Sequence, residues 1–340
     1  MRAGSLRVMA PFFQILSLMA GASLLGGEPK GYVPPPKMSP ENVKLFETLW
    51  TGLRIHRQEL RQGVFRAKGR VVDVDPDWGG FVGPVEIYCV FDFPAQNLRF
   101  DRIEAARIWA PSEGPHKKGD EDAWKPGEQG GKFIRTSTQQ IYLRLGEQNA
   151  TITLASKKPM SWAKPFDIRT LGLATWNGLI TGQTNAEKSF QLHKQTLPYD
   201  IAEEREGIYR VRWEFPQARA HRCTIWINAK TGFSPIRQEL QRRAGPSREK
   251  DWAPEPDERF ELTWKQIDGV WVPETFAATT HIGPGILREY HLAFSWESVN
   301  KPVADETFTV KGLELRPGAR VVDVRGNRPI VVERVPIPGK

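Results

Sequence analysis

The sequence predicts a mainly β (α+β) domain: a long antiparallel sheet with one apolar and one polar face, accompanied by an amphipathic helix. Three observations carry this. Along residues 260–276, Phe260, Leu262 and Trp264 alternate with Glu261, Thr263 and Lys265, the period-two pattern of a half-buried strand. Asp268-Gly269 then supplies a pair that tolerates positive φ in a tight hairpin, and Val270 and Val272 resume the alternation. Finally, the same pattern recurs along most of the 340 residues, with large apolar side chains opposite Arg, Lys, Glu and Thr.

The first residues read as an export signal spanning 1–22. Arg2 and Arg7 form a positive start, residues 11–25 are apolar, and Ala20-Gly21-Ala22 offers the small residues that signal peptidase accepts. The run is shorter than the ~20 residues that span a bilayer, so a cleaved signal and a periplasmic or secreted mature chain are expected. Residues 23–38 form a Pro-rich linker, with Pro34-Pro35-Pro36 favouring an extended, solvated conformation.

Ser39-Pro40 reads as an N-cap followed by proline in the first helical turn. From there Val43, Leu45, Phe46, Leu49, Trp50 and Leu53 recur at spacings of three and four, predicting a helix over 39–62 that Gly63 ends. Its wide aromatic stripe needs a large partner, and the apolar sheet face supplies one. Strands are expected at 64–74, 85–93, 97–109, 132–137, 139–146 and 150–156. Glu86, Tyr88, Val90 and Asp92 fall on the face opposite the row through Cys89. A polar loop over 111–132 is too long for a hairpin and reads as a surface insertion.

Residues 165–197 break the strand rhythm. Phe166, Ile168, Leu171, Leu173 and Trp176 surround Asp167 and Arg169, which read as a structural ion pair or as caps for nearby backbone groups. Thr184 and Glu187 form a capping box for a second short helix. Strands resume at 207–216, 222–228, 234–242, 258–266, 270–281 and 286–298, with a second polar loop over 244–258. Short strands are expected at 321–324 and 330–335. No repeat and no interior linker divides the chain, so 39–300 reads as one domain with 301–340 packed on it.

The formal charge is +8, or +6 once Arg2 and Arg7 are removed, and the pI is near 9.4. The basic residues are interspersed with acids rather than blocked, so nucleic acid is not expected as a partner. A mean hydropathy of −0.47 agrees with the absence of a later membrane span. The six histidines show no helical metal-ligand spacing, and no HExxH, CxxC, phosphate-binding Gly-rich loop or GxSxG occurs. No catalytic residue, metal or cofactor is therefore expected, and the chain reads as a non-enzyme. Trp213, Trp264 and Trp296 share the apolar parity, whereas Trp226 and Trp271 fall opposite and are the better candidates for exposed contacts. Cys89 and Cys223 both share inward parity; free buried thiols are the preferred reading, with a disulfide as the alternative.

Five segments, LRQGVFRAKGRV (60–71), CVFDFPAQNLRFDR (89–102), KPFDIRTLGLATW (164–176), INAKTGFSPIRQEL (227–240) and TWKQIDGVWVPETF (263–276), give the chain its resemblance. It resembles the lipoprotein localisation factor (LolA/LolB-like) superfamily, in particular large LolA-like exported proteins of planctomycete type, over about residues 40–300. The resemblance implies a strongly curved antiparallel sheet, an unclosed half-barrel with helices packed on its concave side. It also implies a cavity for a lipid or acyl chain, with a lipoprotein or an envelope protein as possible partner. On that reading the ligand would be lined by Leu49, Trp50, Leu53, Phe91, Phe93, Trp213, Phe215, Trp264 and Trp296. The alternative is an envelope scaffold or interaction domain whose cavity is filled by its own side chains.

Overall fold

A computed structural model gives the fold and describes residues 37–75, 79–109, 124–157, 165–173, 186, 198–215, 221–242, 252–283, 285–326 and 328–337. The expected signal peptide and nearly all of the linker lie outside the described residues, as do Trp176 and the capping box at Thr184 and Glu187.

Ser39 caps helix α1 (Pro40–Glu59) by accepting from the Asn42 amide at 3.3 Å, and Pro40 opens it. Fifteen strands follow: β1 (Gln62–Asp75), β2 (Gly79–Asp92), β3 (Asn97–Trp109), β4 (Trp124–Arg135), β5 (Gln139–Arg144), β6 (Ala150–Leu154), β7 (Asp200–Arg205), β8 (Ile208–Phe215), β9 (His221–Asn228), β10 (Ser234–Arg242), β11 (Glu258–Ile267), β12 (Val270–Gly283), β13 (Ile286–Val299), β14 (Arg320–Asp323) and β15 (Ile330–Arg334). They form one open sheet, ordered β15-β14-β6-β5-β4-β3-β2-β1-β13-β12-β11-β10-β9-β8-β7. Every neighbouring pair is antiparallel except β14 and β6, which run parallel. The seam of the sheet is the β1–β13 ladder, from Gly63↔Val299 to Val74↔Leu287.

The sheet is a curved half-barrel, and one short segment measures the curvature. Phe166 stacks edge-on against Phe100 of β3 at 5.2 Å. Gly172 lies so close to Pro235 of β10 that a Cβ there would sit 2.9 Å away. β3 and β10 are six strand spacings apart in the sheet order, ~29 Å if flat. Residues 166–172 reach at most ~22 Å fully extended, and a 3-10 turn at Ile168–Thr170 shortens them. A curled sheet lets this one short segment touch both strands.

Cross-strand rows on the concave face run without a break. One passes through Trp296, Phe65, Cys89, Phe100 and Phe133 on β13, β1, β2, β3 and β4. Another passes through Phe260, Gln238, Ile225 and Val211 on β11, β10, β9 and β8. Helix α1 covers the second wing, where Phe46, Leu49, Trp50 and Leu53 pack with Trp213, Ile225 and Ile227. Residues 165–173 cover the first, packing Phe166, Ile168 and Leu171 among Phe91, Phe100, Phe260 and Leu262.

Three expectations need correction. Gly63 does not end the helix: α1 stops at Glu59, Leu60 is already extended, and Gly63 pairs within β1. Its missing side chain serves close strand approach, since a Cβ would lie 2.8 Å from the Ser298 carbonyl. The polar loop over 111–132 is shorter than expected, because β4 begins at Trp124. Pro126, Gly127, Gly130 and Gly131 hide that strand from any alternation pattern, and Gly130 (φ 136°) leaves no room for a Cβ beside the Arg102 carbonyl. Val90 lies opposite the Cys89 row, as expected, but that face is covered there: Val90 is fully buried, because Phe308, Leu313 and Val321 pack with it and Ile134 on the convex side.

Trp50 stacks on Phe46 at 5.6 Å and meets Trp213 edge-on at 5.8 Å. Trp50→Ala is expected to lower stability by ~3–5 kcal/mol, read as a fall in chemical-denaturation midpoint. An unchanged midpoint would mean that α1 is not fixed to the sheet.

Candidate functional site

Eight of the nine residues expected to line a ligand are divided between two clusters. Leu49, Trp50, Leu53 and Trp213 belong to the helix wing and are packed against one another. Phe91, Phe93, Trp264 and Trp296 belong to the other cluster, under residues 165–173. Phe215 pairs with His221 at the end of β8, and its side chain lies outside the described residues. Phe91 stacks on Phe93 at 4.6 Å and meets Trp296 edge-on at 6.2 Å. The indoles of Trp264 and Trp296 donate to the Pro235 and Pro273 carbonyls, at 2.7 and 2.9 Å. Trp226 donates to Glu204 and lies beneath Arg237, while Trp271 is half-buried against Gly232.

What joins the two wings is a group of charged side chains that the apolar pattern did not single out as a site. Asp167 accepts from Arg169 Nε at 3.0 Å and Nη2 at 2.7 Å, and from the backbone N–H groups of Arg169 and Ala186 at 3.0 and 3.3 Å. It thus acts both as ion-pair partner and as a cap, in line with the sequence reading. The Arg169 guanidinium lies 3.6 Å above the Phe93 ring. On the other side Arg57, from the last turn of α1, places its guanidinium 3.8 Å above Trp264. Arg57 is 3% exposed, and its Nη2 has no hydrogen-bond partner among the described residues.

Burial pushes Arg57 down to about 9, opposed by the charge of Asp167. The group is still a cation at neutral pH, but one held where a cation is disfavoured. Arg135 is lowered for the same reason, burial, and Asp167 again opposes it. Arg135 stands in line with Leu98 and Phe91 across β4, β3 and β2. A sequence signal for Arg57 did exist: Phe46, Trp50, Leu53 and Arg57 continue the stripe at spacings of four, three and four, so a guanidinium occupies an apolar position.

A separate cleft of about 480 Å³ lies at the end of α1, lined by Glu59, Arg61, Gln62, Asp268, Gly269, Val270 and Asn300. Its charged lining does not suit an acyl chain, and none of the nine expected residues lines it. Among the described residues there is no group of three or more His, Cys, Asp or Glu that could hold a metal. Nor is any helix among them long and apolar enough to cross a membrane.

No protein-family model matches the chain, and no curated protein matches it in sequence. In structure it is similar to a Vibrio parahaemolyticus domain named for outer membrane lipoprotein sorting, at 12% identity and TM-score 0.41, covering 79% of this chain and 99% of that one. It is also similar to a DUF1329 family protein from Desulfovibrio piger, at 10% identity and TM-score 0.39, covering 78% and 98%. A LolA superfamily protein from Nitrosomonas europaea matches at 12% identity and TM-score 0.37, covering 77% and 98%. Likenesses at these scores say nothing about ligand or role.

Both cysteines are buried free thiols, Cys89 on β2 and Cys223 on β9, in different clusters. Burial raises Cys89 well above its ordinary value and lifts Cys223 to about 12. The native protein is expected to resist a thiol reagent at pH 8 and to release two reactive thiols on denaturation; a disulfide-linked chain would give none. Because the unfolded Cys223 thiol ionises near 9.0, its contribution to stability is full below that pH and is lost as pH rises from 9.0 to about 12. Alkaline unfolding midpoints falling over that window check the sign, and a Cys223→Ala variant should flatten the fall.

Proposed function

We propose that this is a non-catalytic, exported protein that holds a hydrophobic, acyl-chain-like ligand on the inner face of the half-barrel, and that residues 165–173 close that face when no ligand is present. The reading is carried by one observation. The concave aromatic surface of β1–β4 and β11–β13 is covered by a nine-residue segment that places an ion pair, Asp167 and Arg169, among Phe91, Phe93, Phe100 and Phe166. A buried ion pair adds little to stability compared with apolar side chains of similar volume. A wholly apolar segment would be a better permanent filling, so one that buries an ion pair suits a closure that must come away. In an exported protein, such a site would serve lipid or lipoprotein handling in the envelope, with a lipoprotein or an envelope protein as partner.

The second reading, a scaffold whose cavity is self-filled, is favoured by the helix wing, where Leu49, Trp50, Leu53 and Trp213 already fill the space between α1 and the sheet. The two readings differ in one titration. Burying ten methylenes favours binding by ~8 kcal/mol before the costs of association, so methyl cis-parinarate, a neutral fluorescent acyl ester, should bind saturably at micromolar concentration. No binding, together with protein free of lipid when purified from its own envelope fraction, supports the scaffold.

Gly172 gives a direct handle on closure. It has φ +76°, and a side chain there would press on Pro235 and Leu262. Gly172→Val is expected to lower stability by ~1–3 kcal/mol and to tighten probe binding, because the closed state competes with the ligand. Affinity that falls in step with stability would remove residues 165–173 from the role of closing element.

A further inference from the structure

Around Asp167 the inner face gathers more guanidiniums than carboxylates. Asp167 engages Arg169 through both oxygens and caps two backbone amides. Arg57 and Arg135 feel the same carboxylate only through its field. Around Asp167, three guanidiniums thus face one carboxylate, and neither Arg57 nor Arg135 has an ion-pair partner among the described residues. Arg57 is the most exposed in energetic terms and the least in solvent: 3% accessible, stacked 3.8 Å over Trp264, with Nη2 unpartnered among the described residues. An uncompensated buried cation is costly, and a guanidinium fork matches the paired oxygens of a carboxylate or phosphate.

We propose that Arg57, with Arg135, receives the anionic head group, a carboxylate or phosphate, of an amphiphile whose chain lies on the aromatic inner face. This rests on the hydrophobic-ligand reading above and adds its polarity: the ligand is an anionic lipid, and its head is held inside the half-barrel rather than at the rim. Trp264, beneath Arg57, keeps the guanidinium plane fixed and leaves its edge for the head group.

The test compares cis-parinaric acid with its methyl ester at pH 8, where the free acid is ionised. The acid should bind the wild-type protein ~10-fold or more tightly than the ester, the worth of a charge-assisted hydrogen bond. Arg57→Met, close to isosteric and apolar, should erase that ratio, and Arg57→Lys should keep part of it. Arg135→Met should reduce the ratio as well, and it stands as the independent variant if Arg57→Met does not fold. Equal binding of acid and ester by the wild-type protein overturns the head-group site while leaving the carrier reading intact. A ratio that survives Arg57→Met and Arg135→Met overturns it too. If neither probe binds, it is the carrier reading that fails, and this inference with it. Inorganic phosphate at 10 mM, on the order of a weak free-anion affinity, should not displace the acid; displacement of the acid but not the ester would reassign the arginines to a free anion and overturn the lipid head group.

Discussion

The architecture depends on the pairing of β1 with β13, two strands brought together across more than 200 residues of chain. Twelve register pairs, from Gly63↔Val299 to Val74↔Leu287, tie the N-terminal wing β2–β6 to the C-terminal wing β7–β12. The constraint is sharpest at Gly69, where a Cβ would meet the His291 carbonyl at 1.6 Å. Only a residue without a side chain lets the strands approach there. Asn300, just past β13, accepts from the Arg61 amide and donates to the Glu59 carbonyl, so the same seam also fixes the exit of α1. Without this long-range ladder there would be two smaller sheets and no common concave face for the helix and residues 165–173 to occupy.

Curvature then creates an inner surface with two kinds of filling. On the wing of β7–β10, α1 meets the sheet through stacked and edge-on rings, Phe46, Trp50 and Trp213, and the packing is apolar. On the other wing the covering is short and carries an ion pair among its apolar residues. Two of the guanidiniums there rest on aromatic faces, Arg169 on Phe93 and Arg57 on Trp264. Cation–π contact lowers the penalty of burying these charges without removing it. The convex side divides similarly. Around β1–β6 it is covered by Phe308, Leu313 and Val321, whereas around β7–β11 it is charged, with Arg210 bridging Asp200 and Glu204 and Glu239 bridging Arg237 and Arg259.

Much of the fold was legible in the sequence because its signals are local. The Ser39-Pro40 start, the Asp268-Gly269 turn and the parity of Phe91, Trp213 and Trp264 each depend on neighbouring residues alone, and each is found in place. The misses share a cause. Parity says which side chains point together but not whether the opposite face is wet, so Val90 was read as outward and polar-facing until Phe308 and Leu313 covered it. Glycine carries no pattern, so the first part of β4, through Gly127, Gly130 and Gly131, is not legible, although the strand expected from 132 is its second part.

The candidate site shows the same division more sharply. Its aromatic members could be named from alternation, since a large apolar side chain on a half-buried strand has one favourable direction. Their separation into two clusters could not, because it depends on where α1 and residues 165–173 land on a curved sheet. Arg57, Arg135, Arg169 and Asp167 come from a helix, a strand and a 3-10 turn spread over more than 100 residues. The sequence by itself determined a one-faced antiparallel sheet, its capped helix and its inward aromatic rows, because those follow from local periodicity. Only the tertiary structure decided the curl, where residues 165–173 land on it and which charges meet around Asp167, because Coulomb and packing energies depend on distances that sequence separation does not encode.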